Sequence, residues 1–288
     1  MPELPEVEVV KKSLQYKVKN LSITRVYINN SKLRYKINSR DFHRIKGRKI
    51  ISIKRRSKYL LINLSQDLTI LAHLGMTGKF FIIEKNNKKQ KTSFYYSIKK
   101  DESKHDHLTL YFNKGIKLIY NDVRKFGFLK VFKSKNLHKS NHLKFLGPEP
   151  LNKDFNFHYI ARYFLDKKRT VKNLLMDQKF VSGLGNIYCN EILFLCKIRP
   201  DRIVKKVNTK ELNNLIRYTK KILKISIIKG GSSIKDFVNT EGNSGAFQQK
   251  FNVYNKEKSE CNRKNCSGVI KKIYMSNRSS FFCPKCQK

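Results

Sequence analysis

The chain has 288 residues with 40% hydrophobic side chains, enough for two domains that each bury a core. No apolar run reaches the span of a bilayer, and the N-terminus carries acidic residues without an apolar h-region, so a cytoplasmic protein with no membrane contact is expected. Lys and Arg number 63 against 21 Asp and Glu, a formal net charge of +42 that attracts polyanions in a salt-dependent way. Drift of a genome toward A and T, which fills a solvated surface with Lys, Asn and Ile, is a second source of such charge. Charge alone leaves both open.

The first segment reads as a helix after Pro5, with Val7, Val10, Leu14 and Val18 at helical spacing and Glu6 and Glu8 in the first turn. Burying that stripe would fix the start of the chain against its domain. From Leu21 to Phe132 the pattern changes to short β segments: Lys49–Lys54, Tyr59–Leu64, Leu68–His73, Lys79–Glu84, Leu108–Phe112, Ile116–Tyr120 and Phe128–Phe132. A β-sandwich or flattened barrel is the natural architecture. The polar run Lys85–Lys104 interrupts it and is expected as a mobile loop. Gly147-Pro148-Glu149-Pro150 closes a linker. Helical patterns follow over Phe155–Asp166, Val171–Asp177, Asn186–Cys196 and Thr209–Lys229, and Gly230-Gly231 stops the last.

Of six cysteines, Cys189 and Cys196 fall in an apolar helical stretch and read as core thiols. The other four form Cys261-x4-Cys266-x16-Cys283-x2-Cys286, a spacing for zinc rather than disulfides in a cytosolic protein. Between the pairs, Val269–Tyr274 and Ser279–Phe282 read as two strands joined at Ser276-Asn277-Arg278, which puts Arg278 on the turn. The expected fold is α+β. Residues 1–135 form a β-sandwich with a leading helix, 136–150 a linker, 151–231 a helical domain, 232–256 a Gly- and Ser-rich loop region and 257–288 a β-hairpin zinc finger.

The opening Met1-Pro2-Glu3-Leu4-Pro5-Glu6 resembles the start of bacterial formamidopyrimidine-DNA glycosylases. The resemblance recurs in Arg55–Leu61, His73–Gly78, Asn121–Gly127, Gly183–Tyr188, Gly230–Phe237 and the cysteine tail, so it spans nearly the whole chain. One such string is weak; six in order are specific. The family's fold has a helix-two-turn-helix element, here around Gly183–Asn186. Its activity is excision of oxidised purines from duplex DNA, followed by strand cleavage at the abasic site.

The residues suit that chemistry. Removal of Met1 would free the secondary amine of Pro2, and α-amines titrate near neutrality, at about 7.7–8.0. Attack on the sugar C1′ expels the base and leaves an iminium, whose electron demand permits elimination. The resemblance makes Glu3 the proton donor, Lys58 the donor in the first elimination, and Arg278 a phosphate ligand and donor in the second. Guanidinium is a poor acid, so phosphate binding is the firmer role for Arg278. A duplex-acting enzyme must extrude its base and fill the void. The family's three fillers correspond to Met76, Arg124 and Phe126, with Gly75, Gly78 and Gly127 beside them suggesting exposed turns. The resemblance also implies DNA contacts by His105, Arg169, Asn186 and Tyr188, and lesion recognition by 232–256. His73 is a further phosphate neighbour.

This sequence departs from the family pattern in Val123, Lys125 and a first cysteine pair spaced by four residues. Lys125 keeps the charge but loses a bidentate fork. The expected protein is a bifunctional glycosylase and lyase for damaged double-stranded DNA, monomeric, with one structural Zn2+. An endonuclease-VIII-type sibling for oxidised pyrimidines is the nearest rival, opposed by Leu4 and the Met76, Arg124 and Phe126 set. A non-catalytic zinc-bearing nucleic-acid-binding protein would explain the charge and cysteines but leave Pro2-Glu3 without a role.

Overall fold

The computed structural model describes residues 1–84, 89–92, 103–165, 167–231 and 251–288. Contacts divide the chain into two units, one made of Met1–Lys144 with Lys229–Ala246, the other of Phe145–Ile228 with Phe247–Lys288.

The first unit opens with helix α1 (Leu4–Val18), which begins at Leu4 and not after Pro5 because Glu3 is its N-cap. Glu3 and Glu6 form a capping box, in which the Glu6 carboxylate accepts from the Glu3 N–H at 2.9 Å. Two antiparallel sheets follow. One is ordered β1 (Ile23–Ile28), β7 (Asp106–Phe112), β8 (Lys117–Asn121), β5 (Lys79–Ile83), β6 (Lys89–Lys91). The other is ordered β2 (Ile50–Arg56), β3 (Tyr59–Leu64), β4 (Leu68–His73), β9 (Phe128–Lys133). Alternation in β3 sends Leu60, Ile62 and Leu64 inward, where they meet Phe80, Ile82 and Leu110 of the facing sheet. Val7, Val10, Leu14 and Val18 of α1 join the same core, so the stripe read from the sequence anchors the chain start.

The sandwich expected for this region is present, with three elements the pattern did not show. β1 was hidden by its mixed exposure, and α2 (Ser39–His43) is a five-residue helix with one buried side chain, Phe42. β6 lies inside the run expected as a loop and pairs with β5 at the edge of its sheet. Residues 85–88 and 93–102 of that run, and residues 232–250 of the expected lesion-recognition region, lie outside the described residues.

The second unit contains α3 (Phe157–Phe164), α4 (Val171–Leu175), α5 (Asn186–Cys196) and α6 (Thr209–Ile228), then a hairpin of β10 (Lys271–Met275) and β11 (Arg278–Phe282). Ser276 and Asn277, with φ of 46° and 57°, make the two-residue turn; Arg278 opens β11 opposite Met275 and is not a turn residue. Phe194 of α5, Val253, Ile270 and Phe281 share a core with Cys261 and Cys283.

Glu191 ties this core together. Its carboxylate is fully buried and accepts from Asn252 N and Nδ2 at 2.8 Å and from the Val253 and Tyr254 N–H groups at 2.9 Å. Glu191→Gln would set an amide donor against these donors, and we expect it to cost about 1–3 kcal/mol. The urea midpoint should fall. An unchanged midpoint would show that water replaces the lost acceptor.

Candidate active site and metal centre

The chain start is held in a nest of ionisable groups. Pro2 and Glu3 are buried, and Lys58 is only 6% exposed. Lys58 sits in the β2–β3 turn, where Ser57 adopts φ of 56° and its carbonyl accepts from Arg55 Nη1 at 2.8 Å. Arg55 in turn donates from Nε to Glu8 of α1 at 2.8 Å. Helix and turn are thereby locked together. The α-amine at Met1 is pushed down from its ordinary value by burial; Glu3 and Glu6 oppose the shift, while Lys58 and Arg124 add to it. Gly231, at φ of 87°, lies against Glu6, where an added Cβ would come within 3.2 Å of Oε1.

A cavity of about 640 Å3 adjoins this nest, lined by Met1, Lys32, Leu33, Arg34, His73, Gly75, Met76, Arg124, Lys125 and Phe126. Met76 is 38% exposed and Phe126 46%, both too exposed to be core residues, and the Arg124 guanidinium stacks 4.7 Å from the Phe126 ring centre. Gly75, Gly78 and Gly127 are buried, which corrects the expectation of exposed turns. They are where the β4–β5 and β8–β9 loops cross: a Cβ at Gly75 would enter the Phe126–Gly127 backbone, and one at Gly127 would strike the Tyr120 hydroxyl and the His73 carbonyl. Buried Asp122 staples the crossing, accepting from Thr77 Oγ1 at 2.5 Å and from the Gly127 N–H at 2.7 Å. Thr77 Oγ1 also accepts from the Arg124 N–H at 3.0 Å. Met76, Arg124 and Phe126 are thus held outward by a tight polar clasp.

His73 is drawn down to about 4 by burial, with the charges of Lys58, Arg34 and His142 adding to it. It is neutral at pH 7, so it can meet a phosphate only as a hydrogen-bond donor, and its Nδ1 already accepts from the Gly75 N–H at 3.1 Å. His105 does not line the cavity; its carbonyl accepts from the Asp122 N–H at 3.1 Å and supports the clasp. Lys32, Leu33 and Arg34 also line the cavity, though no motif marks them. In a Lys-rich chain two cations in a loop carry no signal.

In the second unit the structure redistributes the expected DNA contacts. Tyr188 is fully buried, its hydroxyl on Ser226 of α6, so the expected side-chain contact with DNA is replaced by a packing role. Arg169 is exposed but paired to Asp177 at 2.6 Å and to the Asn173 carbonyl at 3.1 Å. Asn186 opens α5 behind N-cap Gly185, and its Nδ2 donates to the Ser279 carbonyl at 3.0 Å. Lys172, not singled out by sequence, is 1% exposed and donates to the same carbonyl at 2.9 Å and to Ser280 Oγ at 2.6 Å. Asn186 and Lys172 therefore fix the strand that presents the exposed Arg278.

The four tail cysteines converge, with Sγ atoms all within 4.8 Å of one another. Cys261 to Cys286 is 3.8 Å and Cys266 to Cys283 is 3.7 Å. A tetrahedral zinc with Zn–S bonds of ~2.3 Å has edges of ~3.8 Å, whereas a disulfide is ~2.05 Å long. The thiols fit a metal of that size, and the four-residue spacing of the first pair does not spread them. Gly268 makes room, because a Cβ there would lie 2.5 Å from Cys283 Sγ.

An amine nest beside a cavity with wedge-like side chains, and a separate unit with a helix N-terminus and a hairpin beside four cysteines that could hold a metal, define a class of nucleic-acid-processing enzyme. Comparison with known proteins gives the family. The formamidopyrimidine-DNA glycosylase N-terminal domain matches residues 1–129, and the formamidopyrimidine-DNA glycosylase H2TH domain matches residues 146–238. Formamidopyrimidine-DNA glycosylases of Ruegeria sp. and Rickettsia bellii are 38% and 40% identical over the full length of both chains. A solved complex of the Lactococcus lactis enzyme with DNA containing an abasic site superposes with a TM-score of 0.85 at 30% identity, covering 99% of each chain. Another, with N7-benzyl-Fapy-dG DNA, gives 0.85 at 30% identity over 100% of each. The chain belongs to the formamidopyrimidine-DNA glycosylase family, a family of DNA-repair glycosylases. No helix among the described residues is long and apolar enough to cross a membrane.

Gly127→Ala tests the clasp. The added methyl must displace Tyr120 or the His73 backbone, at an expected cost of about 1–3 kcal/mol. The melting temperature should drop and base excision should slow. A variant as stable and active as the parent would show that the loops have slack.

Proposed function

We propose that the protein is a bifunctional glycosylase and abasic-site lyase that excises oxidised purines from duplex DNA and nicks the strand by successive eliminations. The observation that carries this reading is the buried nest around the chain start. With Met1 removed, the Pro2 nitrogen becomes a secondary amine in the surroundings whose burial, with Lys58 and Arg124 adding to it, already depresses the amine at Met1. A depressed amine is neutral, and so nucleophilic, at a lower pH. Its attack on C1′ forms a C–N bond as the base departs with the electrons of its glycosidic bond; the amine then loses its proton and the C1′–O4′ bond breaks, O4′ taking a proton from Glu3, to leave a ring-opened iminium. Loss of a C2′ proton to a base then breaks the 3′ C–O bond, with Lys58 placed to move the proton. Met76, Arg124 and Phe126 fill the vacated stack, and His73, His105 and Arg278 serve the phosphates. For Arg169 and Asn186 that role requires their present partners to be exchanged.

Preference for purines rests on Leu4 and the Met76, Arg124 and Phe126 set. The pyrimidine reading keeps one support, since a Lactococcus lactis relative has been solved with an oxidised pyrimidine in its DNA. Single-turnover excision on paired duplexes, one with 8-oxoguanine and one with an oxidised pyrimidine, separates them. Faster release of 8-oxoguanine supports the proposal, and the reverse order overturns it. Glu3→Gln should retain lesion binding and lose excision, because the amide keeps the shape but cannot donate the proton. The rate of borohydride trapping should rise with pH and level off below pH ~8, the ordinary α-amine value. A rise that continues well above pH 8 would contradict a depressed amine.

We further propose that the metal is a single structural Zn2+, that the protein acts as a monomer, and that it works in the bacterial cytoplasm. Zinc holds four thiolates and supplies folding free energy to a tail with little core of its own. Chelation should release one zinc per chain and weaken duplex binding while the sandwich keeps its circular dichroism. Arg278→Ala should reproduce much of the binding loss without releasing zinc. Unchanged nicking by the chelated protein would remove the tail from the reaction.

A further inference from the structure

A second concentration of charge stands apart from the cavity at the chain start. β4 and β9 pair from His73 opposite Phe128 at one end to Leu68 opposite Lys133 at the other. The first end borders the cavity. The second, five residues and so ~17 Å away, borders a hollow of about 360 Å3 lined by Arg44, Arg48, Gln66, Asp67, Lys133 and Lys135.

The four cations come from separate elements. Arg44 follows α2, Arg48 precedes β2, Lys133 ends β9 and Lys135 lies in the short turn Ser134–Lys139. Their backbones are tied in place. The Ser134 N–H donates to the Asp67 carbonyl at 2.9 Å, and the Arg48 N–H donates to the Ile45 carbonyl at 3.1 Å. Gln66 and Asp67, at φ of 59° and 56°, form the tight β3–β4 turn that floors the hollow. Counter-charge is scarce. Arg44 has Asp41 at 3.8 Å, a loose pair on exposed side chains, and among the described residues Arg48, Lys133 and Lys135 form no ion pair. Only Asp67 is acidic in the lining.

We propose that this hollow is a phosphate-binding site distinct from the catalytic one. Like charges gathered in a concavity raise the local potential and concentrate anions. Two guanidinium forks with two ammonium groups match the oxygens of phosphate better than those of a lone carboxylate. The ligand is a free oligophosphate or the backbone of a nucleic-acid strand, which share this chemistry.

Tungstate soaked into crystals of the unaltered protein should give an anomalous peak among Arg48, Lys133 and Lys135. In solution, the triple variant Arg48→Gln, Lys133→Gln, Lys135→Gln is compared with Lys210→Gln, Arg217→Gln, Lys221→Gln on exposed α6 positions. Both lose the same charge. Calorimetry with tripolyphosphate, and binding of a long undamaged duplex, are measured at one salt concentration. The hollow variant should lose about tenfold or more in affinity for at least one probe, beyond any loss in the α6 control. Selective loss with the duplex identifies a strand; selective loss with tripolyphosphate alone identifies a free anion. Equal losses in the two variants, or no tungstate in the hollow, would overturn the proposal. Excision from a short lesion duplex should be unchanged in both, so this result is independent of the reading of the catalytic site.

Discussion

The capping box between Glu3 and Glu6 sets the position from which the site is built. A chain terminus normally frays, because it makes too few contacts to offset the entropy of ordering it. Here the first turn of α1 is closed at both sides, by the Glu6 carboxylate on the Glu3 N–H and by Pro5 in the first turn. The apolar stripe behind it joins the core between the two sheets. The proposed nucleophile thus sits on the end of a rigid helix. Burial lowers the α-amine at Met1, and the Arg55–Glu8 ion pair holds the turn that carries Lys58.

Other parts of the molecule solve a similar problem by different means. Met76 and Phe126 are exposed yet fixed, and crossing loops packed glycine to backbone achieve this with Asp122 as a staple. Arg278 must be exposed on a segment with little core. There the cysteine cluster, Asn186 and Lys172 hold the strand from below, two of them through one carbonyl of Ser279. In both places rigidity is supplied by buried polar groups whose removal would leave partners unsatisfied.

Much of this was legible in the sequence where periodicity and spacing carry geometry. The helical recurrence of Val7, Val10, Leu14 and Val18, the alternation in Tyr59–Leu64 and the cysteine spacing each translate directly into a buried face or a ligand set. Pairings between distant residues were not legible. Tyr188 lies in a motif associated with DNA contact, yet only the fold reveals Ser226 waiting for its hydroxyl. Lys172 is one lysine among many until its ammonium is found buried under β11. The glycines beside Met76 and Phe126 were identified as special, but for exposure when the cause is close approach. A motif names the residue; its partner decides whether the side chain is free to act.

The account depends most on the identity of the nucleophile. Mature protein, sequenced at its N-terminus, is incubated with an 8-oxoguanine duplex and borohydride, digested, and the cross-linked peptide is mapped by mass spectrometry. The account predicts that Met1 is absent and that the DNA remnant is attached to the nitrogen of Pro2. Attachment at Lys58 or any other lysine, or full trapping in protein that retains Met1, would contradict it.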